Sequence, residues 1–237
     1  GFFVVAGIML VQRKGPVVRR FHFLIGRTLG NCIAVYCFYQ AVHFTSVAEA
    51  NILNMTYPIF VAMLSWIILR HQRDRVAMIM VVVAVAGVWL ILQPGRLGLS
   101  ADSLWGLGSG VSAAVAILYL NLSRQYHDAN TVLFYMFGMG SVLMYVFFHQ
   151  HFFWPSREAL YYLALCGGAG IVGQFLITLG FRYITAVEGG VISSTRILLA
   201  ALLGPWLAGD PSLGPAGWIG ALLIFGANVT LAIRKGR

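Results

Sequence analysis

Charge is what this chain has least of. Lys and Arg number 16 and Asp and Glu 7 among 237 residues, so only a tenth are charged. A soluble domain of this size needs far more polar surface to cover itself. Cysteine is scarce too: Cys32, Cys37 and Cys166 lie inside apolar runs without metal-type spacing. That excludes a disulfide framework and reads as buried packing. Period-two alternation is missing and the apolar segments are too long for barrel strands, so helices remain as the spanning element. No aspartate falls inside an apolar run; Asp74, Asp102, Asp128 and Asp210 all sit in connections. The visible runs therefore offer no mid-membrane carboxylate for proton or cation coupling. A signal-peptide layout is also missing. The chain opens on Gly1-Phe2-Phe3 within an apolar segment, and the expectation is a fragment whose first helix precedes it.

What is abundant is apolar: 59% of residues, with a mean hydropathy of +0.83. Runs of about twenty residues match the roughly 30 Å of hydrocarbon that a helix must cross. The predicted spans are 1–12, 21–42, 48–70, 76–93, 104–122, 131–150, 159–181, 187–208 and 215–233, an all-α membrane bundle. Breakers punctuate them at Gly15-Pro16, Pro94-Gly95, Trp154-Pro155 and Asp210-Pro211. Alternate connections carry Arg13, Lys14, Arg19, Arg20, Arg70, Arg73, Arg75, Arg124, Arg182, Arg234, Lys235 and Arg237; the opposite side carries Arg96 and Arg157. The basic side faces the cytoplasm. This predicts a multi-pass protein of the cell inner (plasma) membrane with a cytoplasmic C-terminus. The net charge of +9 is thereby explained without nucleic acid as a partner.

An ungapped offset of 139 residues sets Ser46-Val47-Ala48-Glu49 against Thr185-Ala186-Val187-Glu188, and pairs Thr56 with Thr195, Ala62 with Ala201, Leu64 with Leu203 and Gly87 with Gly226. The spans superimpose under the same shift. Each repeat holds an odd number of spans, so the second is inverted relative to the first. The intact arrangement is then two inverted five-helix repeats. Residues 1–93 hold helices 2–5 of the first, 94–103 form a short linker, and 104–237 hold helices 6–10.

Polar residues at depth are the candidate site. Arg196 lies near mid-span beside Ser193 and Ser194, where an arginine costs on the order of 2.5–3.5 kcal/mol on insertion scales. Such a charge faces a wet interior or holds helices together. Arg27 lies closer to a span end, where snorkelling competes with function. Asn51, Asn54 and Pro58 share one helix stripe with Tyr57 beside them, and Pro58 permits a kink. Asn31, Tyr36, Gln40 and Gln174 could complete a polar lining; singly, each is more often interhelical glue. Ser46-x-x-Glu49 and Thr185-x-x-Glu188 fit the capping box, and their glutamates read first as helix caps and second as gates. The glycines at 106, 108 and 110 and at 167, 168, 170 and 173 read as close helix packing. Ser109 fits no nucleophile motif, and His149 and His151 have no carboxylate companion for a metal.

Ala41-x-x-Phe44-Thr45-Ser46-x-Ala48-Glu49-Ala50, with Pro58 and Leu64-Ser65-Trp66, resembles the EamA-type repeat of the drug/metabolite transporter superfamily. The second repeat matches at Gly180-Phe181-Arg182-Tyr183-Ile184-Thr185-Ala186-Val187-Glu188 and at Gly217-x-x-Gly220-Ala221-x-x-Ile224-x-Gly226. The resemblance implies ten helices and a cavity lined by spans 21–42, 48–70, 159–181 and 187–208 together with the first helix. His71 and Asp210 depart from the Leu-Gly-Glu ending that the family often has there. The resulting expectation is a secondary transporter or exporter of a small polar metabolite, of the amino acid or organic acid class, in the lipid bilayer. No cofactor, metal or catalytic residue is expected, and a homodimer is left open. The alternatives are an intramembrane enzyme, which needs a nucleophile or metal constellation, and a non-transporting scaffold.

Overall fold

In the computed structural model, the residues described are 1–44, 47–68, 74–92, 102–151, 154–207 and 214–235. Among them the ordered elements are helical: α1 (Phe2–Val11), α2 (Phe21–Phe44), α3 (Val47–Asn54), α4 (Tyr57–Ile68), α5 (Arg75–Leu92), α6 (Ser103–Tyr126), α7 (Ala129–Phe148), α8 (Arg157–Gly180), α9 (Ala186–Leu207) and α10 (Pro215–Lys235). A short 3-10 turn (His149–His151) follows α7. By length and apolarity α2, α6, α7 and α8 can each cross a bilayer, while α1, α4, α5 and α10 contain shorter apolar helices. Helices of 20 to 24 residues reach about 30–36 Å at 1.5 Å per residue.

The span expected at 48–70 is two helices. Pro58 has no N–H to give the Asn54 carbonyl, so the α-helical ladder cannot pass through. The Met55 N–H still reaches Asn51 O, but Thr56 N–H turns to Leu53 O at 3.2 Å and Ile59 N–H to Thr56 O at 3.0 Å. The kink permitted by the proline is thus a tightened turn that separates α3 from α4.

The chain divides into two compact units. One comprises Gly1–Cys32 with Tyr119–Ile184, and the other Ile33–Leu118 with Thr185–Arg237. In the first, Val5 and Met9 of α1 are buried against Leu133 and Met136 of α7, with Phe134, Phe137 and Phe175 around them. The end of α1 is a Schellman turn: Arg13 N–H bonds Leu10 O and Lys14 N–H bonds Met9 O, both at 3.0 Å. Arg13 holds the left-handed conformation there, at φ 51°. Glycine adopts that conformation without steric cost, so Arg13→Gly is expected to stabilise the fold by about 1 kcal/mol, read from thermal unfolding in detergent.

In the second unit α5 and α10 pack along their length. The buried faces are Ala77, Val81, Ala84 and Val88 on α5, and Ala221, Ile224, Ala227 and Leu231 on α10. A Cβ on Gly87 would lie 2.6 Å from the Gly220 carbonyl oxygen, so the backbones touch there. At the other end Arg234 Nη1 meets Asp74 Oδ2 at 2.8 Å. The two helices are therefore antiparallel, as repeats of opposite sense require. Their repeat-paired glycines are not equivalent, since Gly87 is buried and Gly226 faces open space.

Asp74 also caps α5, accepting N–H bonds from Val76 at 2.9 Å and Ala77 at 3.3 Å. Partial burial works to raise its carboxyl, but the Arg234 guanidinium and the two N–H groups outweigh that and hold it below the usual value. A depressed acid stabilises the fold above its unfolded pKa, and the gain is lost as pH falls through the folded value. Because both partners are 42–46% exposed, the pair contributes under about 1 kcal/mol. Asp74→Asn should therefore cost a little stability at pH 7, and that cost should shrink as the pH falls below the ordinary carboxylate range, as followed by thermal unfolding.

Candidate functional site

The first unit holds a buried cation. Arg27, on the second turn of α2, is 3% exposed. Its Nη2 donates to Gln174 Oε1 on α8 at 3.1 Å. Arg27 lies six residues from the start of α2 and Gln174 six from the end of α8, so both sit about 9 Å inside their helices. No carboxylate faces Arg27 among the described residues, where the ion pair present is Asp74 with Arg234. Its Nε is buried and has no hydrogen-bond partner among the described residues, and the same holds for Asn121 Oδ1 and Thr178 Oγ1. Each such orphan costs about 1–3 kcal/mol unless water or a solute meets it. Arg27 therefore offers a desolvated cation with a donor unused.

The second unit holds a buried polar chain. Asn54 Nδ2 donates to Ser109 Oγ at 2.7 Å, and Ser109 Oγ donates to Ala34 O at 2.9 Å. The last turn of α3 thereby ties to α6 and α2. Glycines let α6 come close enough: a Cβ on Gly106 would lie 2.7 Å from the Leu53 side chain, and one on Gly110 3.2 Å from Leu53 O. Ser109 is fully buried. Ser109→Ala should cost about 1–2 kcal/mol in thermal unfolding, because Asn54 Nδ2 loses its acceptor in a dry interior.

Of the remaining candidates, Gln40 Nε2 donates to Tyr36 Oη at 3.2 Å. Tyr36 packs edge-on against Trp105 with centroids 5.8 Å apart. Tyr57 is buried and Asn51 half-buried. Asn31 and Ser193 are half-buried and make no side-chain hydrogen bond among the described residues. Arg196 lies in the middle of α9, but its side chain is outside the described ones, as are Ser46 and the Glu49 side chain. Glu188 forms the capping box in full: Thr185 N–H donates to Glu188 Oε2 at 2.7 Å and Glu188 N–H to Thr185 Oγ1 at 3.2 Å.

Several polar residues at helix ends were not candidates. Arg124 Nε donates to Thr178 O at 2.8 Å, and its Nη1 to His127 O at 2.6 Å. Asn121 Nδ2 donates to Ile184 O at 2.8 Å. Nε2 of the buried His127 accepts the N–H groups of Arg19 and Arg20 at 3.2 and 3.3 Å. The signal for Asn121 was available, as an amide within an apolar run. The contacts of Arg124 and His127 join parts of the chain distant in sequence and had none. Among the described residues no group of three His, Cys, Asp or Glu could hold a metal ion.

Large apolar side chains cover the outside of these helices. Val82, Phe147, Leu176 and Leu222 are each 65–72% exposed, an arrangement stable against lipid and not against water. With its long apolar helices and buried polar groups, the chain is a multi-pass helical membrane protein. It belongs to the EamA-like transporter family, which it matches over residues 1–93 and 102–232. An uncharacterized transporter of Helicobacter pylori (strain J99) is 28% identical over 224 residues, 90% of this chain and 74% of the relative. The pseudopaline exporter CntI of Pseudomonas aeruginosa is 24% identical over 196 residues, 81% of this chain and 66% of the exporter. Human solute carrier family 35 member G1 is 24% identical over 249 residues, 95% of this chain and 67% of the carrier. A solved crystal structure shares the fold with a TM-score of 0.78 at 17% identity, over 99% of this chain and 84% of the other.

Proposed function

We propose that this membrane transporter is a secondary carrier of a small anionic or zwitterionic metabolite, of the amino acid or organic acid class, working by alternating access. The observation that carries this reading is Arg27: 3% exposed, bonded to the neutral Gln174, with Nε unpartnered. A guanidinium so placed gains most from a carboxylate, which supplies both charge and paired acceptors. Gln174 then orients the guanidinium and gives way to, or shares it with, the solute. Arg196, in the middle of α9 in the second unit, is a separate candidate for the same role. Asn31 in the first unit, and Asn51, Asn54, Tyr57, Tyr36, Gln40 and Ser193 in the second, are further polar candidates, and Glu188 completes the capping box at the start of α9. Access alternates between two inverted repeats, residues 1–93 and 104–237, in the inner membrane with the C-terminus in the cytoplasm. The pseudopaline exporter among the relatives makes outward movement the direction to test first.

The test is uptake by liposomes holding the full-length protein, against a panel of amino acids, organic acids, polyamines and neutral sugars. Saturable uptake confined to the carboxylate-bearing solutes is expected. Saturable uptake of polyamines or sugars alone would overturn the anion assignment. Arg196→Ala should lower the same uptake, and an unchanged rate would remove that residue from the site.

A further inference from the structure

A second basic site lies in the first unit, away from Arg27, at the ends of α6 and α8. Arg19, Arg124, Gln125, Asp128 and Arg182 line a pocket of about 500 Å³ with Val17, Tyr126 and His127. Arg124 is held in place by the Thr178 and His127 carbonyls. The strand of chain carrying Arg19 is pinned by His127 Nε2 and by a 3.3 Å bond from Val17 N–H to Thr131 Oγ1. Next to it, Arg20 lies over the Tyr126 ring at 4.7 Å. Asp128, the acid at the rim, already accepts Thr131 N–H at 3.1 Å as the cap of α7. Arg19 and Arg182 are exposed and have no side-chain partner among the described residues. Arg124 lies close enough to Arg182 to be repelled by it and close enough to Asp128 to be attracted. Three arginines and one carboxylate therefore line the pocket.

Solvated basic residues at span ends follow from membrane topology alone, but those need neither a pocket nor fixed walls. Here hydrogen bonds fix the walls of a pocket that three arginines line at the helix ends. We infer that the pocket binds a phosphate ester, with three guanidiniums to share its oxygens. An anionic phospholipid headgroup and a soluble phosphate compound present the same chemistry. Pockets of basic residues between membrane helices take lipid headgroups in this way. Nothing in the Arg27 site is needed for this binding.

The test is thermal unfolding of the full-length protein in a neutral detergent, with phosphatidylglycerol or phosphatidylcholine added to the micelles, or with glycerol phosphate in solution. Phosphatidylglycerol should stabilise saturably and phosphatidylcholine should not. In Arg19→Gln/Arg182→Gln the concentration for half-maximal stabilisation should rise about thirtyfold. Arg13→Gln/Lys14→Gln removes two charges from the same side outside this pocket and should leave it unchanged. If glycerol phosphate competes with the lipid, the phosphate alone is the determinant; if it does not, the pocket reads the headgroup in its membrane setting. Equal loss in both double variants, or equal response to the two lipids, would overturn the site. Because Arg19 and Arg182 are exposed and unbonded, their variants keep the fold, and unchanged elution and unfolding without lipid verify this.

Discussion

Arg27→Gln is expected to cut uptake of carboxylate solutes about ten- to a hundredfold while leaving the protein at least as stable as before. The first effect is the loss of a charge-assisted hydrogen bond in a water-poor site, about 1.5–3 kcal/mol. The second follows from desolvation. A cation 3% exposed and without a counter-ion among the described residues is a burden on the folded state, and a neutral side chain of similar shape relieves it. The two readouts separate the roles: were Arg27 a structural tie between α2 and α8, stability and transport would fall together. Arg27→Lys should fall between wild type and Gln, because it keeps the charge but loses the planar fork. Uptake in liposomes and unfolding temperature in detergent, measured on the same preparations, decide it.

Gly87→Ala is expected to destabilise the fold by about 1–3 kcal/mol. Its Cβ would stand 2.6 Å from the Gly220 carbonyl oxygen and 2.8 Å from the Ile224 side chain. A side-chain tip can rotate away, but a carbonyl in a helix cannot, so α5 and α10 must separate. The control is Gly226→Ala, the position paired with Gly87 by the repeat. Nothing lies within 4 Å of a Cβ there, so no loss is expected. Equal effects in the two variants would mean that the close approach at Gly87 is not what holds the pair together.

The contrast between Gly87 and Gly226 shows what repetition in a sequence can and cannot convey. The repeat pairs the helices, and the antiparallel course of α5 and α10 suits its inversion, but atomic contacts need not follow it. Hydropathy placed α2, α7 and α8 within two residues or so at most ends, because apolar length is a local property. The 48–70 span was harder. Its proline was legible as a kink, whereas the close seat of the resulting turn against Gly106 and Gly110 of α6 was not. Ser109 carried no motif, since its role comes from two carbonyl- and amide-bearing neighbours far off in sequence. The glycines at 167, 168, 170 and 173 suggested close packing, yet among the described residues no other element comes within 4 Å of their added Cβ positions. Cys37 is buried as expected, whereas Cys166 on α8 is exposed. Arg27 with Gln174 was within reach of sequence reasoning as two polar groups at depth, but their pairing was not.

Counterflow is the most direct measurement of a carrier. Liposomes containing the full-length protein are loaded with an unlabelled amino acid or organic acid, and entry of the same labelled solute is followed. An alternating-access carrier should show faster, saturable entry into loaded than into empty liposomes, and Arg27→Gln should abolish the difference. Entry indifferent to the internal solute, or not raised above protein-free liposomes for any solute in the panel, would contradict it.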